Sequence, residues 1–241
     1  LYIVTHIKIC GITNVADALC AAKAGAHLLG FIFYPKSPRY IVPDAAAEIV
    51  YRLQAAFGEC APRCVGVFVN EPVAHVRAVL AHAHLDLAQL HGDEPLDQVR
   101  QLGDRAYKAI RPETLMQARA QATVYAGAAS SDNGVPQLLV DAYHPQRFGG
   151  TGLPVDLVIA RGLTRHFRLL LAGGLMAETV GAVVEQVRPW GVDVSSGVER
   201  EKGIKDHSRV NAFIEAVRAV DVLNSRCRDD VLDLAQQMRS R

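Results

Sequence analysis

The chain lacks an excess of charge of either sign. Its 26 basic residues stand against 25 acidic ones, for a formal net charge of +1. Binding to bulk nucleic acid or to an anionic membrane normally shows as a basic surplus, so this balance argues against both. A single small anionic ligand stays open. No apolar run in the chain approaches the roughly 20 residues that a membrane span needs. The first residues, LYIVTHIKIC, lack a basic segment followed by an apolar core and a small-residue cleavage site. They read as a strand, not as a signal peptide. The cysteines are few and odd in number: Cys10, Cys20, Cys60, Cys64 and Cys227. A disulfide framework is therefore not expected, and a reducing cytoplasm is the default location. Cys60 and Cys64 lie close together, but no second Cys/His pair follows at zinc-finger spacing, so no metal site is expected there. No short-period repeat is evident, which argues against a solenoid.

What is present is an alternation. Half of the 241 residues are apolar. That is enough for one sizeable core, and an α/β barrel uses about 250 residues as a single domain. Strand-like runs fall at 3–10, 27–33, 64–69, 85–91, 106–110, 137–142, 168–173 and 191–196. Several are nearly continuous in Val, Ile and Leu, as expected of strands covered on both faces. Helical patterns fill the intervals, at 14–25, 43–57, 73–83, 95–102, 113–122, 154–163, 177–187 and 207–220. Gly25 suits the end of the first helix and Pro43 the start of the second. Eight strands with helices between them predict a (β/α)8 TIM barrel over residues 1–220. A doubly wound sheet is the competitor. It more often has five or six strands and a GxGxxG after the first, which is absent here. The small polar segment 126–136 reads as a loop. Residues 221–241 read as a further, charge-rich helical tail beyond the barrel.

Two strands end in chemically competent side chains. Alternation puts Lys8 and Cys10 on one face of the first strand. If that face is the barrel interior, a buried ammonium beside the thiol is expected to lower its pKa. The competing reading is a small apolar core cysteine. Asp141 follows Leu138, Leu139 and Val140; it is either a turn cap or a pocket carboxyl able to donate a proton. The glycines at 149–152 are either a flexible loop or an anion cradle. Gly173 and Gly174 end the seventh strand, and Ser195, Ser196 and Gly197 end the eighth. Loops at those two places commonly bind phosphate in barrels, though tight turns without a ligand would look the same. Asp193 is placed to point inward at a sugar hydroxyl. Arg39 and Arg111 each suit a bidentate clamp on a substrate carboxylate or a solvated surface position.

Taken in order, KICGIT, GFIFYPKSPRYI, VGVFVN, QLHGDE, LLVDA with FGGTG, LLAGGL and DVSSGVE closely resemble the phosphoribosylanthranilate isomerase family of tryptophan biosynthesis. The resemblance spans about residues 6–220; the tail and the longer loop at 126–136 depart from it. It implies a (β/α)8 fold and an aldose–ketose isomerase, an intramolecular oxidoreductase. The reaction implied is the Amadori rearrangement of N-(5-phosphoribosyl)anthranilate to 1-(o-carboxyphenylamino)-1-deoxyribulose 5-phosphate. By the same resemblance Cys10 matches the base and Asp141 the acid. Arg39 matches the holder of the anthranilate carboxylate, Asp193 a residue near the ribose hydroxyls, and Gly174, Ser196 and Gly197 the phosphate loops. No metal or nicotinamide cofactor is implied. The partner implied is the phosphorylated sugar–anthranilate substrate, with the chain a monomer or homodimer. Two rivals stand beside this reading: the related histidine-pathway aminoaldose isomerase, similar to a two-aspartate design, and a catalytically silent phosphate-binding scaffold.

Overall fold

In the computed structural model, residues 4–141 and 157–239 are described, with side chains through 223. The glycine cluster at 149–152, the Cys227 side chain and the first residues of the helix expected at 154–163 lie outside them. Eight parallel strands close into a barrel in chain order: β1 (His6–Cys10), β2 (Leu28–Ile32), β3 (Arg63–Phe68), β4 (Leu87–Leu90), β5 (Ala106–Ile110), β6 (Leu138–Val140), β7 (Leu169–Leu171) and β8 (Gly191–Val194). β1 closes the barrel against β8, pairing Lys8 with Asp193. Each strand falls within or beside its expected run, and the competing doubly wound sheet is excluded by the closure.

Among the described residues eight α-helices surround the barrel: α1 (Val15–Ala24), α2 (Pro43–Phe57), α3 (Val73–His82), α4 (Leu96–Leu102), α5 (Leu115–Ala126), α6 (Leu157–Thr164), α7 (Ala177–Val187) and α8 (His207–Arg239). Their ends follow local chemistry. The Asn14 side chain accepts a hydrogen bond from the Asp17 N–H to start α1, and Gly25 ends that helix in the left-handed region, where a side chain would be strained. Pro43 opens α2, where its missing N–H costs nothing. Thr114 caps α5 through the Gln117 N–H.

The alternation of each strand separates two apolar layers. Ile7, Ile9, Leu29 and Phe31 point outward against helix residues such as Ile49, Leu53 and Phe213. Leu28, Val65, Leu87, Tyr107, Leu139 and Leu170 fill the barrel's interior. Inner residues that cannot join this apolar cluster stand out for that reason.

Two features were not expected. An antiparallel hairpin, β9 (Glu199–Glu201) and β10 (Ile204–Lys205), follows β8. And α8 runs without a break through residue 220, where the sequence pattern divides barrel from tail. Asp221, just past that division, accepts hydrogen bonds from the Thr5 N–H and hydroxyl at 3.0 and 2.7 Å. The start of the tail thus ties the last helix to the start of the first strand.

Candidate active site

Lys8 and Cys10 lie on the same, inward face of β1. The Lys8 ammonium is fully buried and meets Asp193 Oδ1 on β8 at 2.9 Å. Burial is the largest single influence and opposes its charge, but the pull of Asp193 together with Cys10 and Tyr107 outweighs it, and the ammonium is held more firmly than in water. Cys10, 5 % exposed, sits above this pair. Its neighbour across the sheet is Gly30. A Cβ there would come within 2.7 Å of the Cys10 sulfur and 3.1 Å of Lys8 Nζ, so only glycine leaves room for both groups.

The expected lowering of the Cys10 pKa is not what results. Burial pushes the thiol up; Lys8 pulls it down but does not win, and Asp193 adds to the rise. The physical reason is that Lys8 is already answered by Asp193. An ammonium shared with a carboxylate offers the thiolate little net field in a site where desolvation is large.

A cavity of about 860 Å3 opens at the C-terminal ends of the strands. It is lined by Cys10, Arg39, Asp141, Gly173, Gly174, Asp193, Ser195, Ser196 and Gly197, so the residues to which the family resemblance gave a role border one space. Gly173 and Gly174 both have left-handed backbone, φ 103° and 62°. The buried Ser195 hydroxyl has no hydrogen-bond partner among the described residues. Arg111 is not on that wall. It reaches Asp93 at 3.0 Å, on the loop after β4.

The Arg39 geometry differs from the one expected. Its Nε and Nη2 make a bidentate pair with Glu199 on β9, at 2.7 and 2.8 Å. The protein's own carboxylate takes the edge that a substrate carboxylate was expected to occupy. Glu199 also accepts from Lys205 Nζ at 3.1 Å. The same ammonium donates to the Cys10 carbonyl at 2.6 Å and the Ser195 carbonyl at 3.1 Å. Lys205 therefore clamps the end of β1, with its thiol, to the end of β8, with its loop. Burial lowers the Lys205 pKa against the pull of Glu199.

Sequence reading also passed over Gln89, His91 and Tyr107. Gln89 and His91 line the cavity with Asp141. The signal was available in LDLAQLH: the alternation that pairs Lys8 with Cys10 also puts Gln89 and His91 on one face. Glu199 sat in the quoted motif DVSSGVE without a role. Lys205 carried no local signal, because its partners lie far away in the chain.

A closed parallel barrel with titratable side chains gathered around one cavity at its C-terminal mouth belongs to the (β/α)8-barrel enzymes. Comparison with known proteins narrows the class. Residues 7–216 match the family model described as N-(5'-phosphoribosyl)anthranilate (PRA) isomerase. The N-(5'-phosphoribosyl)anthranilate isomerase of Trichlorobacter lovleyi is 44 % identical over 209 residues, covering 86 % of this chain and 95 % of that protein. Among solved structures, the phosphoribosyl anthranilate isomerase of Thermotoga maritima superposes with a TM-score of 0.77 at 35 % identity, covering 89 % of this chain and 99 % of that one. A phosphoribosyl anthranilate isomerase in complex with reduced 1-(o-carboxyphenylamino)-1-deoxyribulose 5-phosphate superposes at 0.74, with 34 % identity and the same coverage. The chain belongs to the N-(5'-phosphoribosyl)anthranilate isomerase family and is an aldose–ketose isomerase.

Proposed function

We propose that Cys10 and Asp141 are the base and the acid of the family reaction in this chain. That reaction converts N-(5'-phosphoribosyl)anthranilate to 1-(o-carboxyphenylamino)-1-deoxyribulose 5-phosphate, in tryptophan biosynthesis. Asp141 gives its proton to the furanose ring oxygen; the C1–O bond breaks and the anilino nitrogen's electron pair forms a Schiff base. Cys10 thiolate then removes the proton on C2, and the electron pair flows toward nitrogen to give an enolamine. Protonation at C1 and loss of the C2 hydroxyl proton then leave the C2 ketone. The protons lost from C2 and its hydroxyl match those gained by the ring oxygen and C1, so oxidation states shift within the substrate and no external oxidant or reductant enters.

The observation that carries this reading is that Cys10 and Asp141 border the same cavity as the glycine–serine loops after β7 and β8. Those loops offer N–H groups and hydroxyls to the phosphate, Asp193 stands near the ribose hydroxyls, and Arg39 stands near the anthranilate carboxylate. The raised Cys10 pKa makes the thiol the resting form and its thiolate a stronger base once formed. The four free cysteines among the described residues are consistent with a reducing cytoplasm. The substrate and product differ in anthranilate fluorescence, and this gives the test. Fresh substrate should lose its signal with the purified protein and keep it with Cys10→Ser. An unchanged signal with the wild-type chain overturns the reading.

A further inference from the structure

We propose that Tyr107 and Gln89 are positioning residues that fix the His91 tautomer, so that its Nε2–H is aimed at the Asp141 carboxyl. The inference rests on the reading of Asp141 as the acid, and it adds three residues to which no role has been given.

The chain of contacts is continuous and buried. β4 and β5 pair Gln89 with Tyr107 across the sheet. The Tyr107 hydroxyl donates to Gln89 Oε1 at 2.9 Å. Burial pushes the Tyr107 pKa up, so the hydroxyl keeps its proton. With Oε1 occupied, the amide turns its Nε2 to His91 Nδ1 at 2.7 Å. An amide nitrogen has hydrogens and no available lone pair, so Nδ1 must be the acceptor in that contact. A neutral imidazole accepting at Nδ1 carries its hydrogen on Nε2. His91 Nε2 is buried, makes no aligned hydrogen bond among the described residues, and faces Asp141 Oδ2 at 3.3 Å. That distance is loose for a hydrogen bond, and catalytic contacts of this kind often tighten only when substrate binds.

The consequence is chemical. An N–H presented to Oδ2 makes that oxygen the acceptor, so the transferable proton of Asp141 resides on Oδ1. When the Oδ1–H bond breaks and the ring oxygen takes the proton, negative charge develops on the carboxylate. The His91 N–H is already directed at it and stabilises it without rearrangement. The opposite tautomer would turn a lone pair toward Oδ2 and oppose the same step.

The test uses the full chain with ring-15N-labelled histidine, at mildly alkaline pH and without substrate, and identifies His91 by comparison with His91→Gln. A protonated Nε2 and a bare Nδ1 are expected. Tyr107→Phe should mix the two tautomers and lower kcat roughly tenfold with little change in KM, because a general acid's contribution depends on its alignment. Gln89→Leu should do the same and serves if the tyrosine variant does not fold. A wild-type signal with the proton on Nδ1, or a tautomer unaffected by either substitution, overturns the proposal. So does a lost tautomer with wild-type kcat. A protonated Nε2 in a chain without isomerase activity would instead remove Asp141's role as acid and leave the tautomer standing, so the two failures are distinct.

Discussion

Two seams of one barrel differ sharply. Between β6 and β7, Leu138, Leu139 and Val140 face Leu169, Leu170 and Leu171, all buried. Between β1 and β8, Lys8 faces Asp193 beneath Cys10, also buried. The backbone pattern is the same, parallel and in register. The first seam is stabilised by removing apolar surface from water, at about 25 cal/mol per Å2. The second holds charges whose desolvation costs several kcal/mol each and which persist only as a mutual pair. Its consequence is chemical: it brings a thiol and a carboxylate to the edge of a cavity, over a buried positive charge.

The largest break in this comparison is at the reacting groups. Cys10→Ser and Asp141→Asn should each lower turnover by roughly 10³-fold, read by the fluorescence assay, while thermal unfolding stays near wild type. Next come the seams themselves. Lys8→Met leaves Asp193 buried and unpaired and should cost about 3–5 kcal/mol in urea unfolding. Leu170→Ala should cost a similar amount, about 2–5 kcal/mol, by opening a cavity. Only the lysine variant should also move the pH–rate profile, because Lys8 is the main group holding the Cys10 pKa down. Equal profiles would mean that the charged seam is structural only.

A smaller effect is expected at the hairpin. Glu199→Gln should loosen Arg39 and raise KM roughly tenfold, in line with one charge-assisted hydrogen bond, with kcat nearly unchanged. The pH profile sharpens the account of the thiol: the rising limb of kcat/KM should lie on the alkaline side of the ordinary thiol range. A rising limb on the acid side would show that Lys8 prevails after all. The smallest effect belongs to the opposite face of the barrel. Burial, then the Arg218 charge, depress the His27 pKa from 6.5 to about 4. The unfolded chain therefore takes up this proton first, and stability should fall as the pH drops from 6.5 toward 4. His27→Asn should flatten that window in urea titrations.

Much of this was legible in the residues. The strands of the apolar seam announced themselves as unbroken Leu and Val. Cys10, Asp141 and Asp193 were visible as breaks in such runs, at the ends where barrels do chemistry. Gly173, Gly174, Ser195, Ser196 and Gly197 were visible as turn residues after the seventh and eighth strands, where they border the cavity. Glu199 and Lys205 were not, because a short hairpin has no periodicity to detect. The Arg39 pair with Glu199 spans 160 positions of chain, and no local pattern encodes a contact of that length.

By itself, the sequence determined the eight strands, the helices between them and which side chains face inward, since alternation and helical period are local properties of a chain. Only the tertiary structure decided the electrostatics: that Lys8 is neutralised by Asp193 and so leaves the thiol's pKa raised, and that Glu199 occupies the fork of Arg39. Those outcomes depend on distances across a closed barrel and on the exclusion of water, and neither exists until the chain has folded.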